Sequence, residues 1–253
     1  MQSDKHISKS FDQDLDEAIR LFLYMGDSAA NQVAKAIHAL IDKDETMDFD
    51  INRMEVELDE HILLLVAKRQ PAASDLRLVM SISKGVVDLE RIGDEAVKIA
   101  RMASKIAAEG KSAYGYAEVQ HLSNQVRLML NNSLEAFSQS NAEQAFEVMR
   151  NDSVVNTEYQ SAIRALMTYI MEDSRHVSKV INIMWILRSL ERIGDHAQNV
   201  AELVINYISG QDVRHSDYTM VEKAVQEAND RLAARQVSTL SANELETSDS
   251  DEG

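Results

Sequence analysis

Two pairs of carboxylates recur in this chain with the same spacing and the same neighbours. The hexamer LERIGD occurs at residues 89–94 and again at residues 190–195. Four residues separate the two acids in each copy, which are Glu90 with Asp94 and Glu191 with Asp195. Because four residues make about one helical turn, each pair would present two carboxylates on one face of a helix. Like charges at this spacing repel, so we expect an arginine, a cation or water to offset them.

We expect the second pair to border a packed helix interface. Leu187 stands one turn before Glu191, and apolar residues recur along the same stripe of the segment. Asp152 and Asn156, four residues apart in another helical segment, add oxygen atoms that could face the pair. Oxygen donors from facing helices suit Mg, Mn, Ca or Fe better than Zn. The residue types therefore allow a cation site in the second half of the chain.

Ordinary helix packing explains the same residues in another way. Arg91 could pair with Asp88 or Glu95, since three or four residues separate it from each of them. Gly93 and Gly194 indicate the close approach of another helix more readily than that of a ligand, because a glycine inside a helix costs about 1 kcal/mol relative to alanine. Both interpretations stay open at the level of the sequence.

The two copies differ at one nearby position. Lys98 follows Asp94 by four residues, whereas Asn199 occupies the matching place in the second copy. An ammonium group at that spacing could neutralise Asp94 and compete with a cation. We therefore expect the second copy to be the better cation site.

The elements that carry these residues are long helices. The chain has one proline among 253 residues, eight glycines, 5% aromatic residues and 45% hydrophobic residues, which favours an all-α fold. Ser10 or Asp12 could cap the first helix, and Pro71 would end the second. Helical periodicity appears in six segments, at about residues 10–40, 48–69, 74–109, 117–138, 142–171 and 174–210.

The two halves of the chain resemble each other beyond the hexamer. Asp48 and Asn52 repeat as Asp152 and Asn156, with the same Asp-x-x-x-Asn spacing. An internal duplication explains both repeats, and it predicts two tandem three-helix bundles, at residues 8–110 and 115–213. Residues 217–235 could add a short helix, and the acidic stretch 236–253 reads as a disordered tail.

Charge and motif content exclude several classes of function. A net charge of −16 disfavours nucleic acid and anionic membranes as partners. The N-terminus lacks the apolar core of a signal peptide, and the longest apolar stretch is interrupted by Asn182, so we expect a cytoplasmic protein with no direct membrane insertion. The sequence has no cysteine, no phosphate-cradling glycine loop and no nucleophile elbow. Trp185 and the Met-rich stretches are most simply core residues, with a Met-rich partner surface as the alternative.

Several longer stretches, together with the duplicated hexamer, resemble the PhoU family. They are AKRQPAASDLRLVMSISK at residues 67–84, LMTYIMEDSR at residues 166–175 and GQDVRH at residues 210–215. The resemblance covers about residues 5–215. It implies a cytoplasmic, often dimeric protein that links the phosphate ABC transporter to a sensor histidine kinase. Such a protein restrains phosphate uptake and the phosphate-starvation response.

The resemblance also implies candidate site residues. Some family members bind metal clusters at Glu/Asp-x-x-x-Asp motifs, which would make Glu90, Asp94, Glu191 and Asp195 metal ligands, with Asp48 and Asp152 as additional ones. Divalent or iron cations could bind there, although no cofactor is required. The same face is a candidate docking surface, to which Arg91, Arg192, Asp94 and Asp195 would contribute.

Three functions remain in competition at this point. The first is a non-enzymatic adaptor that binds the kinase and the ATPase subunit of the transporter and forms a homodimer. The second is a metal-dependent helical-bundle enzyme or metal store that uses the paired carboxylates. The third, a purely structural coiled-coil protein, leaves the repeated charged hexamer unexplained.

Overall fold

The described part of the chain consists almost entirely of long helices. A computed structural model of the chain describes residues 2–42, 51–69, 71, 73–109, 114–214 and 216–230. The helices are α1 Gln2–Asp42, α2 Ile51–Arg69, α3 Ala73–Ala108, α4 Tyr116–Gln139, α5 Ala142–Glu172 and α6 Val177–Ser209, with a 3-10 turn at Ser174–His176. Residues 218–230 form a further helical segment, α7. The described residues include no β-strand, and the predicted all-α fold is confirmed.

The helices form two bundles of three that pack against each other. The helices α1, α2 and α3 contact one another, as do α4, α5 and α6, while α3 packs on α6 and α1 packs on α4 between the bundles. Their apolar faces share one continuous core, which includes Phe22, Leu89, Leu130 and Leu190. The predicted tandem three-helix bundles are confirmed. The limits 8–110 and 115–213 stay predictions, and the tail 236–253 lies outside the described residues.

The helix ends follow the local chemistry of the turns. The Asn141 side chain accepts a hydrogen bond of 3.0 Å from the Gln144 backbone nitrogen and so caps the start of α5. Gly210 ends α6 with a φ of +76°, a conformation that glycine adopts without steric cost. Helix α1 starts at Gln2, well before the predicted start at Ser10, because residues 2–10 contain no glycine or proline to stop it.

The helical segment α7 returns along the second bundle. The Tyr218 and Phe146 rings pack with their centroids 6.2 Å apart, and Asn229 Nδ2 donates to Glu143 Oε1 at 2.9 Å. The predicted helix at 217–235 is therefore confirmed over residues 218–230. None of the described helices has a stretch long and apolar enough to cross a membrane.

Candidate functional site

The second LERIGD copy belongs to a cluster of three carboxylates, Asp152, Glu191 and Asp195, which we call the second-repeat cluster. Glu191 and Asp195 lie on α6, and Asp152 lies on α5, which packs against α6. Glu191 is buried, with 8% of its surface exposed, whereas Asp152 is half-buried and Asp195 is exposed. The expectation that this pair borders a packed interface is confirmed.

Two carboxylate oxygens in the second-repeat cluster are buried without a hydrogen-bond partner. Arg188 Nη1 donates to Glu191 Oε1 at 2.5 Å, and Asn156 Nδ2 donates to Asp152 Oδ2 at 2.8 Å. The other oxygens, Glu191 Oε2 and Asp152 Oδ1, accept no hydrogen bond. A buried acceptor left unsatisfied costs about 1–3 kcal/mol, so each of these oxygens favours a proton, a cation or a donor from a partner.

Burial raises the pKa of all three carboxyls in the cluster, and the charges of neighbouring acids add to the shift for Asp152 and Glu191. Desolvation and the charge of Asp195 raise the pKa of Asp152 to about 6, against the hydrogen bond from Asn156. Desolvation, then the charge of Asp195, raises the pKa of Glu191, although Arg188 opposes this shift. Desolvation also raises the pKa of Asp195. The cluster therefore holds its negative charge less readily than isolated carboxylates do.

Gly194 lies at a close contact between α6 and α5. A methyl group at its α-carbon would lie 3.4 Å from Val155 Cγ1 and 3.9 Å from Asp152 Oδ1. These are ordinary van der Waals distances, so the position is close-packed but would accommodate an alanine. The packing interpretation of this glycine agrees with the structure, since its nearest neighbours are side chains of another helix.

The first LERIGD copy occupies a more open environment. Glu90 is half-buried and Asp94 is exposed, both on α3. Desolvation raises the pKa of Glu90, and the charges of Asp94 and of Glu55 on α2 add to this effect. We call Glu90 and Asp94 the first-repeat pair. Asp48, its predicted additional ligand, lies outside the described residues.

Lys98 does not neutralise Asp94, so that expectation is wrong. Its Nζ lies 2.9 Å from Glu95 Oε1, and Arg192 Nη1 from α6 approaches the same oxygen at 3.0 Å. The Glu95 side chain is only 3% exposed, whereas Asp94 faces solvent. A buried carboxylate attracts an ammonium group more strongly than a hydrated one, because the local dielectric constant is lower.

Glu95 is one part of a polar contact between the two repeats that the sequence did not reveal. The other part is Asp88, whose Oδ1 lies 2.9 Å from His196 Nδ1 and 2.9 Å from Asn199 Nδ2. We call these five residues, Asp88, Glu95, Arg192, His196 and Asn199, the inter-repeat contact. The expected pairing of Arg91 with Asp88 or Glu95 is wrong, since both acids face α6 instead. Asp88 and Glu95 are seven residues apart on α3, which places them on one side of the helix. This spacing was the sequence feature that could have indicated a shared contact with another helix.

The predicted metal ligands have suitable donor atoms but do not converge into a complete site. The oxygens Glu191 Oε2 and Asp152 Oδ1 are unsatisfied, and oxygen is the donor that Mg, Mn, Ca and Fe ions accept. Within the described ranges, however, no three His, Asp or Glu side chains are grouped closely enough to hold a metal ion. Metal binding stays a prediction, with Glu191, Asp195 and Asp152 as the ligands that the arrangement favours.

The four predicted docking residues are all exposed on α3 and α6. Arg91, Asp94, Arg192 and Asp195 each lie at the surface. The Arg192 guanidinium is already held by Glu95, so it is less available to a partner than Arg91. The structure thus leaves Arg91, Asp94 and Asp195 as the residues most accessible to a partner.

Trp185 and part of the Met-rich sequence are not core residues, which corrects the first expectation for them. Trp185 is 60% exposed, and Met167 and Met171 on α5 are 52% and 87% exposed. A depression of about 400 Å³ between α5 and α6 is lined by Tyr159, Ile163, Ile181, Met184, Trp185 and Arg188. The exposure of Met167 and Met171 agrees with the alternative, a Met-rich partner surface, which stays a prediction.

Comparison with known sequences gives matches in both repeats. The family model described as the PhoU domain matches residues 22–103 and 119–204, one match for each three-helix bundle. A PhoU homolog of the phosphate-specific transport system from Pseudomonas aeruginosa is 49% identical over 228 residues, which cover 87% of this chain and 94% of that protein. The accessory protein PhoU of that system from Escherichia coli strain K12 is 39% identical over 218 residues, covering 83% of this chain and 90% of that protein.

Solved structures agree with the sequence matches. The crystal structure of PhoU from Pseudomonas aeruginosa superposes with a TM-score of 0.77 at 49% identity, covering 79% of this chain and all of that chain. The phosphate transport system regulatory protein PhoU from Streptococcus pneumoniae superposes with a TM-score of 0.73 at 26% identity, covering 80% of this chain and 99% of that one. The likeness therefore extends through both bundles.

Proposed function

This chain belongs to the PhoU family, and from that premise we propose that it is a negative regulator of phosphate uptake and of the phosphate-starvation response. The observation that carries the proposal is the extent of the similarity, which runs through both repeats and 94% of a relative named as a transport-system accessory protein. In this proposal the protein acts in the cytoplasm, as a homodimer. It joins the ATPase subunit of the phosphate ABC transporter to a sensor histidine kinase.

The second-repeat cluster supplies a physical basis for partner binding. Its two unsatisfied buried oxygens, Glu191 Oε2 and Asp152 Oδ1, belong to the same cluster as the exposed carboxylate of Asp195. A lysine or arginine of a partner that reached this edge would offset the repulsion among three acids and satisfy acceptors that the free protein leaves unpaired. Binding would then be coupled to the charge of the cluster, which is how a local electrostatic change can be read by a partner.

The first test replaces the two acids of the second hexamer by their amides. The double substitution Glu191→Gln and Asp195→Asn keeps the shape of both side chains but removes their charges. We expect phosphate-starvation genes to be derepressed in phosphate-rich medium, as measured by a reporter of a starvation-induced promoter. Full repression by the variant at an unchanged protein level would contradict the assignment of docking to this cluster.

A matched control separates a specific effect from a general change of charge. Glu147 on α5 is an exposed acid with 62% of its side chain accessible, and it forms an ion pair with Arg150 of its own helix at 3.2 Å. The substitution Glu147→Gln should leave repression unchanged. A pull-down from phosphate-replete cells should recover the kinase and the ATPase subunit with this variant but not with the double variant. Light scattering of the purified protein tests the proposed homodimer.

A metal-dependent enzyme or metal store is the second candidate function. The observation in its favour is the set of unsatisfied carboxylate oxygens on facing helices, since oxygen ligands suit divalent and iron cations. Elemental analysis of protein purified without a chelator, followed by an oxidase assay, distinguishes the candidates. Stoichiometric iron with turnover would favour the enzyme, whereas unaltered partner binding after chelation would favour the adaptor.

A further inference from the structure

A second site lies between the repeats, away from the second-repeat cluster. It is a cavity of about 670 Å³, within the range of 300–1,000 Å³ that is typical of small-molecule sites. Helices α3 and α6 form two of its walls, and the third is formed by residues of the connection between α6 and α7, among them Asp212, Val213, Arg214 and Ser216. This connection follows the second family-matched segment, which ends at residue 204, and includes the GQDVRH stretch.

The connecting segment is held in place by its own hydrogen bonds. The Asp212 carboxylate accepts from the backbone nitrogen of Arg214 at 3.1 Å and from its guanidinium. The carbonyl of Gln211 accepts from Asn206 Nδ2 of α6 at 3.0 Å, and the Gln211 amide contacts Glu227 of α7. This wall is therefore organised before any ligand arrives, which lowers the entropic cost of binding.

Three acidic and three basic side chains line the cavity, and they differ in whether a protein group already holds them. The three carboxylates are each engaged: Asp88 by His196 and Asn199, Asp212 by Arg214, and Glu202 by Gln198 Nε2 at 3.0 Å. Of the three cations, Arg214 is engaged as well. Lys84 and Arg91 are exposed on α3, and no hydrogen bond or ion pair holds them among the residues that the structure describes, although the charge of Lys84 acts on Asp212 and that of Arg91 on Glu90.

We propose that this cavity binds a small anionic molecule through a phosphoryl group. The available cationic donors are Lys84 and Arg91, and a planar guanidinium matches the oxygens of a phosphoryl group in a two-pronged contact. The charge of Asp212, which would repel an anion, is offset by the ion pair with Arg214. The proposal does not depend on the adaptor role, since it concerns a ligand of the isolated protein.

The shape of the cavity favours an organic phosphate over a free ion. Seven residues separate Lys84 from Arg91, which places them about 10 Å apart along the axis of α3. A single phosphate ion spans less than this distance, whereas a nucleoside monophosphate can extend from one end to the other. Val87, Leu203 and Met149 add an apolar surface against which a base or another ring could pack.

Calorimetric titration of the purified full-length protein tests the proposal with three probes: inorganic phosphate, adenosine 5′-monophosphate and adenosine. We expect saturable binding of the monophosphate and none of adenosine. The double substitution Lys84→Gln and Arg91→Gln should weaken that binding at least about tenfold, because the charge-assisted contact to the phosphoryl group is lost whichever cation makes it. The affinity for inorganic phosphate shows which kind of ligand the cavity takes. If inorganic phosphate binds as tightly as the monophosphate, the ligand is the free ion. If it binds more weakly, the ligand is an organic phosphate.

A control variant on the same helix removes the same charge. Arg101 and Lys105 are exposed on α3 outside the cavity, so Arg101→Gln with Lys105→Gln should leave binding unchanged. Thermal melts of both double variants verify that each folds. The proposal is overturned if neither phosphate nor the monophosphate binds at millimolar concentration. Equal binding of adenosine, or equal weakening by the two double variants, would overturn it too.

Discussion

The two repeats carry the same hexamer in different surroundings. In the second repeat, α5 approaches α6 closely enough to bury Glu191 and to place Asp152 beside Gly194. In the first repeat, Glu90 is half-buried, and α2 exposes large apolar side chains such as Leu63 at 69%. Identical local sequence therefore gives two electrostatic environments, because the neighbouring helix decides how much water reaches the carboxylates.

The outer faces of the repeats differ even more. Trp185 of α6 is 60% exposed beside an apolar depression, whereas the matching residue of α3, 101 positions earlier, is Lys84 beside a polar cavity. On α5, Tyr159 and Ile163 line that depression, and the matching residues of α2, 104 positions earlier, are Glu55 and Asp59. Duplication has preserved the core while the exposed positions diverged, so the two repeats offer partners different chemistry.

The largest expected effect tests what the repeats share. Leu89 and Leu190 open the two hexamers, and both are fully buried in the common core. Leu89→Ala and Leu190→Ala should each lower the free energy of unfolding by about 2–5 kcal/mol, since each leaves a cavity. Urea denaturation of both variants measures this. A loss below 1 kcal/mol in only one of them would show that the two cores are not equivalent.

The next effect tests the inter-repeat contact. The substitution Glu95→Gln removes the buried charge that Lys98 and Arg192 share. We expect a loss of about 1–3 kcal/mol in the free energy of unfolding, because charge-assisted hydrogen bonds are lost at a buried position. Asp94→Asn, one residue earlier and exposed, is the matched control and should change stability far less. Equal losses in the two variants would contradict the pairing described above.

The pH dependence of stability should separate the second-repeat cluster from the first-repeat pair. Asp152 has its pKa raised from 3.8 to about 6 in the folded protein. Between these two values the native state binds a proton that the unfolded state does not, so wild-type stability falls as the pH rises through this window. Asp152→Asn removes the penalty, and after allowance for solvent screening it should stabilise the protein by about 1–2 kcal/mol at pH 7.

The control for this prediction is the acid condition. At pH 4 or below, the carboxyl of Asp152 is protonated in the folded state, and it becomes protonated in the unfolded state as the pH falls further. The substitution Asp152→Asn should therefore raise the free energy of unfolding only slightly at this pH. Glu90→Gln in the first repeat should show a smaller gain at pH 7, since that site is more open. Urea denaturation at both pH values, with a chelator present, makes the measurement. A variant less stable than wild type at pH 7 would refute this account of the cluster.

The sequence predicted the helices and the duplication because both depend on local periodicity. The hexamer, the scarcity of glycine and proline, and the matching Asp152 spacing identified two three-helix bundles and the exposed Asp195 beside a packed interface. The partners of Lys98 and Asp88 could not be predicted, because they depend on how α3 crosses α6. The exposure of Trp185 was missed for the same reason, since an apolar residue is assigned to the core until the packing shows that nothing covers it.

The smallest expected effect tests the assignment of Lys98 itself. Because Arg192 also holds Glu95, Lys98→Asn alone should cost at most about 0.5 kcal/mol, the usual range for a pair with an exposed partner. A double-mutant cycle gives the sharper measurement, since it isolates the coupling between two side chains. Coupling of Lys98→Asn with Glu95→Gln should be measurable, and coupling with Asp94→Asn should be near zero. The reverse result would show that Lys98 neutralises Asp94, as the sequence suggested. It would then give an electrostatic reason for the two hexamers to bind cations differently.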